Sequence, residues 1–382
     1  MRPRHAIAPR RAVSRLIVGI AVAVSLAVGG TIAVTEVALA KDQSRAGRAS
    51  AGRVLADRRR ERATHVIGTV HIIGSAAQAA ARSYWTPARL ESASGVGAGA
   101  RAGSSRPGSG RPASAGAPAV ERQDAATGSS AAQSPPHGTP NSQSFSGVPT
   151  VGALFYTKAG SNHFCTASVI HSTAGSLVVT AAHCVYSSNG YSQHMEFIPG
   201  YDGGSESYGV WPVTQITVAK GWRQGENPDL DVAFLNVVPP PNSVGPIEQV
   251  TGSLQIAFAL PDAQRVTVIG YNDTDQKPIM CTTTSFKFRP DQMEFYCRGF
   301  WYGTSGGPWI LNYNSSSGAG TIYGVIGGYE AGGNVTWASY SAALEKPAQE
   351  LLAQAEASAG TSNAANAGGG KSSGTQVTAS AG

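Results

Sequence analysis

Apolar and polar positions divide the chain into segments of different texture. An almost unbroken apolar run extends from Leu16 to Val34. From residue 41 to about 144 the apolar pattern is lost among Ala, Gly, Ser, Arg and Pro, and "GVGAGARAGSSRPGSGRPASAGAPA" (95–119) predicts disorder. One stretch interrupts that leader: "THVIGTVHIIGSAAQAAARSYWTPARLESA" (64–93) carries an apolar patch and Tyr84-Trp85, which fits either a short ordered element or a sticky linker patch. From Phe145 to about 345, short β-rich runs alternate with turn residues: "VGALFY" (151–156), "SLVVTAA" (176–182), "DVAFLNVV" (231–238), "QRVTVIGY" (264–271) and "TIYGVIGGY" (321–329). Val, Ile, Thr and aromatic residues favour strands, and Gly, Asn, Asp and Pro separate them. So many short strands without helical periodicity predict an all-β barrel or sandwich. "PPPNSVGP" (239–246) reads as the link between two β halves. At the end, Leu344, Ala348, Leu351, Leu352 and Ala355 recur at helical spacing, with Pro347 suited to a first helical turn. The expected organisation is therefore 1–40, an export segment; 41–144, a low-complexity pro-segment or linker; 145–355, the packed domain; and 356–382, a disordered tail.

Composition sharpens this division. Gly contributes 47 residues and charged residues only 14 %. Segments of that kind bury too little apolar surface to offset chain entropy, so one packed domain inside disordered flanks is expected. Residues 1–140 hold 19 Lys and Arg against 7 Asp and Glu, a net +12, while the rest holds 10 against 16, a net −6. The overall +6 is thus a property of the leader. A mildly acidic packed domain argues against nucleic acid as a partner, since that function needs a basic face on a fold.

Arg2, Arg4, Arg10, Arg11 and Arg15 precede the first apolar run, and Ala38 and Ala40 precede Lys41. This order of charge, apolar run and small residues is that of a secretory signal cleaved after Ala40. The run is also long enough to make an uncleaved membrane anchor, facing outward, the alternative. Either way the remainder is expected outside the cytoplasm. The four cysteines, Cys165, Cys184, Cys281 and Cys297, fit two disulfides with three possible pairings. The absence of a CxxC pair makes a zinc or redox role weak. No metal and no cofactor is expected.

Three short blocks carry candidate chemistry. In "GTSGGP" (303–308), Gly303, Gly306 and Gly307 permit a tight turn around Ser305 and can aim the backbone N–H groups of Gly303 and Ser305 at one point, the geometry of an oxyanion hole. In "VVTAAHC" (178–184) a predicted strand delivers His183 at its end, a candidate general base. In "DLDVAFLNV" (229–237) Asp231 lies at the mouth of an apolar strand, where a carboxylate fixes the tautomer of a neighbouring histidine. Asp229, two residues earlier and on the same face of a strand, is the competing acid.

"TAAHC", "DVAFL" and "GTSGGP", in that order, resemble the His, Asp and Ser blocks of trypsin-like serine proteases of the chymotrypsin group, over residues 145–355. The short loops and long Ala/Gly/Arg leader are similar to exported actinobacterial members, including the group related to glutamyl endopeptidases. "YWTPARLESA" (84–93) resembles a pro-region element of secreted actinobacterial proteases. The resemblance implies two six-stranded antiparallel β-barrels with a C-terminal helix. It implies catalysis by His183, Asp231 and Ser305, disulfides Cys165–Cys184 and Cys281–Cys297, and a substrate pocket near Gly299, Gly327, Gly328 and Tyr329. It also implies a secreted monomer acting on polypeptide substrates.

Two departures stand out. Thr304 replaces the aspartate that, in trypsin-like zymogens, pairs with a newly cut N-terminus. "TVGALF" (150–155) then reads as the first barrel strand, and no activating N-terminus is expected at Val151. The position six residues before the serine, where trypsin keeps an aspartate for basic side chains, is Gly299, and no carboxylate lies between Cys297 and Ser305. Cleavage after Arg or Lys is therefore not expected. "YGVIGGYEAGG" (323–333) lacks the pocket histidine of glutamyl relatives. The resulting expectation is an exported serine endopeptidase; a catalytically silent, protease-like binding or adhesion module is the alternative.

Overall fold

The computed structural model describes residues 68–96, 134–241, 243, 245–273 and 275–368. The expected export segment, most of the low-complexity leader and the end of the tail lie outside these residues. The described chain opens with strand β1 (Gly68–Ile72), helices α1 (Ser75–Tyr84) and α2 (Pro87–Glu91) and strand β2 (Ser94–Gly95). Five alanines give α1 its helix propensity. Pro87 bars a helical conformation at the residue before it, so Thr86 is extended and caps α2, its hydroxyl accepting from the Arg89 N–H at 3.3 Å.

After the short strand β3 (Gln143–Ser144) come β4 (Val151–Lys158), β5 (Ser161–Val169) and β6 (Leu177–Thr180). Helix α3 (Ala182–Val185) and the small hairpin β7 (Tyr186–Ser187) and β8 (Gly190–Tyr191) follow. Next are β9 (Gln193–Pro199), β10 (Trp211–Ala219), helix α4 (Lys220–Gly225) and β11 (Ala233–Val237). The six strands run in the order β10-β11-β6-β5-β4-β9, and β9 returns to β10 through Phe197 opposite Trp211, which closes a barrel. β4, β10 and β11 are almost wholly buried along their length, which fits the mostly apolar runs VGALFY and DVAFLNVV at β4 and β11. β9 covers only the start of β10; β1 takes up that edge further along, from Gln215 to Ala219.

Helix α5 (Ile247–Thr251) and β12 (Gln255–Ile256) follow the proline-rich link. The second half is built from β13 (Arg265–Tyr271), β14 (Pro278–Arg289), β15 (Gln292–Tyr296), β16 (Pro308–Leu311), β17 (Thr321–Val325) and β18 (Ala338–Ala342). Its six main strands run β17-β16-β13-β14-β15-β18, with β12 and β3 added at the sides. The seam between β17 and β18 is drawn together by the Gly327 N–H on the Tyr340 carbonyl (2.9 Å) and the Val325 N–H on Ser341 Oγ (3.0 Å), not by a strand ladder. This is looser than a full barrel closure because β17 ends at Val325, where the chain turns toward the other half. Together the halves form a mostly β, chymotrypsin-like fold.

Cys165–Cys184 ties β5 to α3, and Cys281–Cys297 ties β14 to the chain after β15. Their spacings of 19 and 16 residues make each worth ~3 kcal/mol in the loop-entropy picture. The final helix, α6 (Lys346–Gly368), continues past residue 355, where the sequence pattern predicted a disordered tail. Ala-rich composition sustains it, and Ala355 and Ala359 are buried. The Gln354 amide donates to the Gly68 carbonyl at 3.0 Å, so α6 also holds β1. Among the described residues no helix is long and apolar enough to cross a membrane.

Glu196 on β9 is buried, and its Oε1 has no hydrogen-bond partner. Burial pushes its carboxyl up to about 7, with Arg82 opposing and Glu206 adding to the shift. The fold therefore holds this proton more tightly than the unfolded chain, and stability is lost as pH rises from the ordinary glutamate range through the folded value. Glu196→Gln is expected to stabilise the protein at pH 8 by on the order of 3 kcal/mol and to have little effect at pH 4. Urea unfolding at both pH values checks this, and an equal gap at both contradicts it.

Candidate active site

β6 runs out at Thr180, and α3 turns His183 back toward Asp231. The His183 backbone N–H donates to Asp231 Oδ1 at 2.9 Å, and ring Nδ1 meets Oδ2 at 2.8 Å. A donating Nδ1 leaves Nε2 as the ring's acceptor. Asp231 is fully buried, and a third donor, the Gly328 N–H, reaches Oδ2 at 2.7 Å. Three N–H groups thus replace the water this carboxylate gives up. Asp231 caps a tight 3-10 turn, Pro228–Leu230, and precedes β11, so Asp229 and Asp231 do not share a strand face as the sequence pattern suggested. Asp229 is half-buried and accepts from the Gln292 amide at 2.9 Å.

Ser305 sits in a turn with Gly303 at φ +93° and Gly306 at φ +80°, left-handed conformations that side chains resist. Packing forbids a side chain there as well: a Cβ on Gly306 would lie 2.2 Å from the Thr166 carbonyl oxygen. Thr166 on β5 fastens this turn to the first barrel. Its N–H donates to the Ser305 carbonyl (2.7 Å), and its hydroxyl donates to the Gly303 carbonyl (2.9 Å) while accepting from the Tyr271 N–H (2.9 Å). Gly306 N–H and Ile326 O fasten the turn to the second half at 2.7 Å. Thr304 is buried and bonds the Trp301 carbonyl through its own hydroxyl at 2.7 Å, so it needs no charged partner. Val151 lies inside β4, buried and opposite Ser168.

A peptide group occupies the centre of the site. The Gly303 N–H (3.1 Å) and the Ser305 hydroxyl (2.8 Å) both donate to the carbonyl oxygen of Val96. Val96 also lines the cleft that contains His183, whose Nε2 is buried without a hydrogen-bond partner. Sequence reasoning missed Thr166, Val96 and Lys158, whose ammonium donates to the His183 carbonyl at 3.0 Å. Burial lowers the pKa of that lysine. The polar Thr166 inside the buried part of "HFCTASVI" was the available clue; Val96 lies in glycine-rich sequence and gave none.

The pocket beside Ser305 is walled by Trp301, Tyr302, Ile326 and the chain around Gly332 and Thr336, with no charged side chain. Its cavity is about 20 Å³, room for little more than a water molecule. Of the four residues expected to line the substrate pocket, Gly328 lines the neighbouring cleft that contains His183 and Val96. Gly327 and Gly328 turn toward the Asp231 carboxylate, Tyr329 packs against Phe288 and Tyr340 under Arg289, and Gly299 abuts Ser142. Cys165 and Cys184 lie close to His183, but both sulfurs are bonded to each other and offer no thiolate to a metal.

The family model described as Trypsin matches residues 138–344. Among solved structures, the chain is similar to the protease Anisep from Arthrobacter nicotinovorans, with 25% identity, TM-score 0.51, and coverage of 56% of this chain and 99% of that one. It is also similar to the thermostable serine protease AL20 from an extremophilic microorganism, at 22% identity, TM-score 0.50, and coverage of 55% and 97%. A Glu endopeptidase structure in complex with MPD matches at 18% identity, TM-score 0.46, and coverage of 58% and 98%. No curated protein matches the chain by sequence.

Thr166→Val keeps the shape of the side chain but leaves the Gly303 carbonyl and the Tyr271 N–H without their hydroxyl partner. A loss of about 1–3 kcal/mol in stability is expected for the buried groups left unpaired, read by urea unfolding. A variant as stable as the wild type would show that Thr166 does not anchor the turn.

Proposed function

We propose that this chain, which belongs to the trypsin family and is a serine endopeptidase, is exported and works through Ser305, His183 and Asp231. The observation that carries the reading is the convergence of the Gly303 N–H and the Ser305 hydroxyl on one peptide carbonyl oxygen, in the cleft shared with His183. A substrate carbonyl needs the Gly303 N–H on its oxygen and Ser305 Oγ free to reach its carbon. When substrate binds, Ser305 Oγ attacks the carbonyl carbon and His183 Nε2 takes its proton. The negative charge gathers on the carbonyl oxygen, where the backbone N–H groups of Gly303 and Ser305 receive it. His183 then returns the proton to the leaving amine, giving an acyl-enzyme on Ser305, and water releases the acyl group by the same steps. Asp231 holds the ring and stabilises the imidazolium.

Export is supported by the N-terminal sequence order and by two disulfides, which persist in oxidising compartments. A retained anchor at Leu16–Val34 would tether the same domain to the outer face of a membrane. A role as a silent binding module is disfavoured by the complete His183–Asp231 pair.

Ser305→Ala and His183→Ala are each expected to lower kcat by about 10⁶-fold, and Asp231→Asn by about 10⁴-fold, whereas Asp229→Asn leaves turnover close to wild type. Turnover of a peptide substrate checks the set, and a larger loss for Asp229→Asn would reassign the acid. The small, uncharged pocket predicts cleavage after small uncharged side chains. A peptide library read by mass spectrometry tests this, and dominant cleavage after Lys, Arg or Glu would contradict it.

A further inference from the structure

We infer that residues 68–96 form a built-in inhibitor that seats its own backbone in the active site. The inference rests on the proteolytic reading of Ser305. The segment is fastened to the domain along its whole course. β1 pairs antiparallel with β10, from Gly68 opposite Ala219 to Ile72 opposite Gln215. Trp85 is buried against Phe155 and donates its ring N–H to the His194 carbonyl at 2.6 Å. The buried Gln276 amide donates to the carbonyls of Leu90 (2.9 Å) and Ala93 (3.1 Å). β2 then runs parallel to β5, with Gly95 opposite Phe164, and the Val96 N–H donates to the Phe164 carbonyl at 3.2 Å.

This track delivers the Val96 carbonyl to the Gly303 N–H and the Ser305 hydroxyl. The contact has two consequences. A substrate carbonyl cannot enter, because its place is filled. The nucleophile is also disconnected from its base, because the Ser305 proton is directed at the Val96 oxygen while His183 Nε2 has no hydrogen-bond partner. A serine in that state has nowhere to send its proton, so the segment blocks the site without being cut at this point. The absence of an acid at position 304 fits such a device. Control by an ion pair with a new N-terminus is replaced by control through occupancy.

Gly95 gives the device a specific point of failure. A Cβ there would lie 2.3 Å from the Gly303 nitrogen and 2.3 Å from the Tyr302 carbonyl carbon, both backbone atoms that cannot move aside. Gly95→Ala should therefore lift Val96 out of the site while leaving every group of the enzyme unchanged. Trp85→Ala loosens the segment at a distance. The test is the rate at which a fluorophosphonate probe labels the intact, full-length band of the wild type and of each variant, with the cooperative unfolding transition confirming that each is folded. At least tenfold faster labelling of Gly95→Ala, and faster labelling of Trp85→Ala, is the expected result. Equal rates in all three chains overturn the inhibitor while leaving the serine enzyme standing. No labelling of any folded chain overturns the proteolytic reading itself, and the inhibitor with it.

Discussion

The carboxylate of Asp231 is the point on which the site depends. It is fully buried, so it is tolerable only because three N–H groups face it. Two come from His183 in the first barrel, and the third from Gly328 in the second half. Satisfying one charge therefore fixes the histidine ring, its tautomer and the approach of the two halves. The same demand sets the course of the chain after β17. The Gly328 N–H is given over to Asp231, and the seam of the second sheet is left to single hydrogen bonds.

Thr166 does for Ser305 what Asp231 does for His183. Its backbone and hydroxyl reach across from the first barrel to the carbonyls of Ser305 and Gly303. The nucleophile's turn is thus built on the second half but braced by the first. The leader segment exploits the resulting cleft. It adds a strand to the open edge of β10, lays an aromatic anchor on the barrel, and ends with its backbone against the turn that holds the serine. α6 secures the other end of the segment through Gln354, so the C-terminal helix and the leader are parts of one arrangement.

The sequence was most informative where chemistry and local conformation coincide. Glycines around Ser305, a histidine at a strand end and an aspartate before an apolar run are local patterns, and so are the strands buried on both faces. The two halves were legible from strand spacing and the proline-rich link. What stayed hidden depends on contacts distant in the chain. Trp85 meets its partner 109 residues away, Gln276 reaches back 183 residues to Ala93, and Val96 meets Ser305 across 209. No local period encodes such pairings. The extension of α6 was masked by composition: the Ala-rich stretch that reads as low complexity is also a good helix former.

The central claim is that Asp231, and not its neighbour Asp229, holds the imidazole of His183 through a buried hydrogen bond. The most direct test is the proton NMR signal of the His183 Nδ1–H, shifted downfield and slowed in exchange by that bond. The account predicts a signal that persists in the wild type and in Asp229→Asn and is lost or moved strongly upfield in Asp231→Asn. An unchanged signal in Asp231→Asn, or its loss in Asp229→Asn, would contradict it.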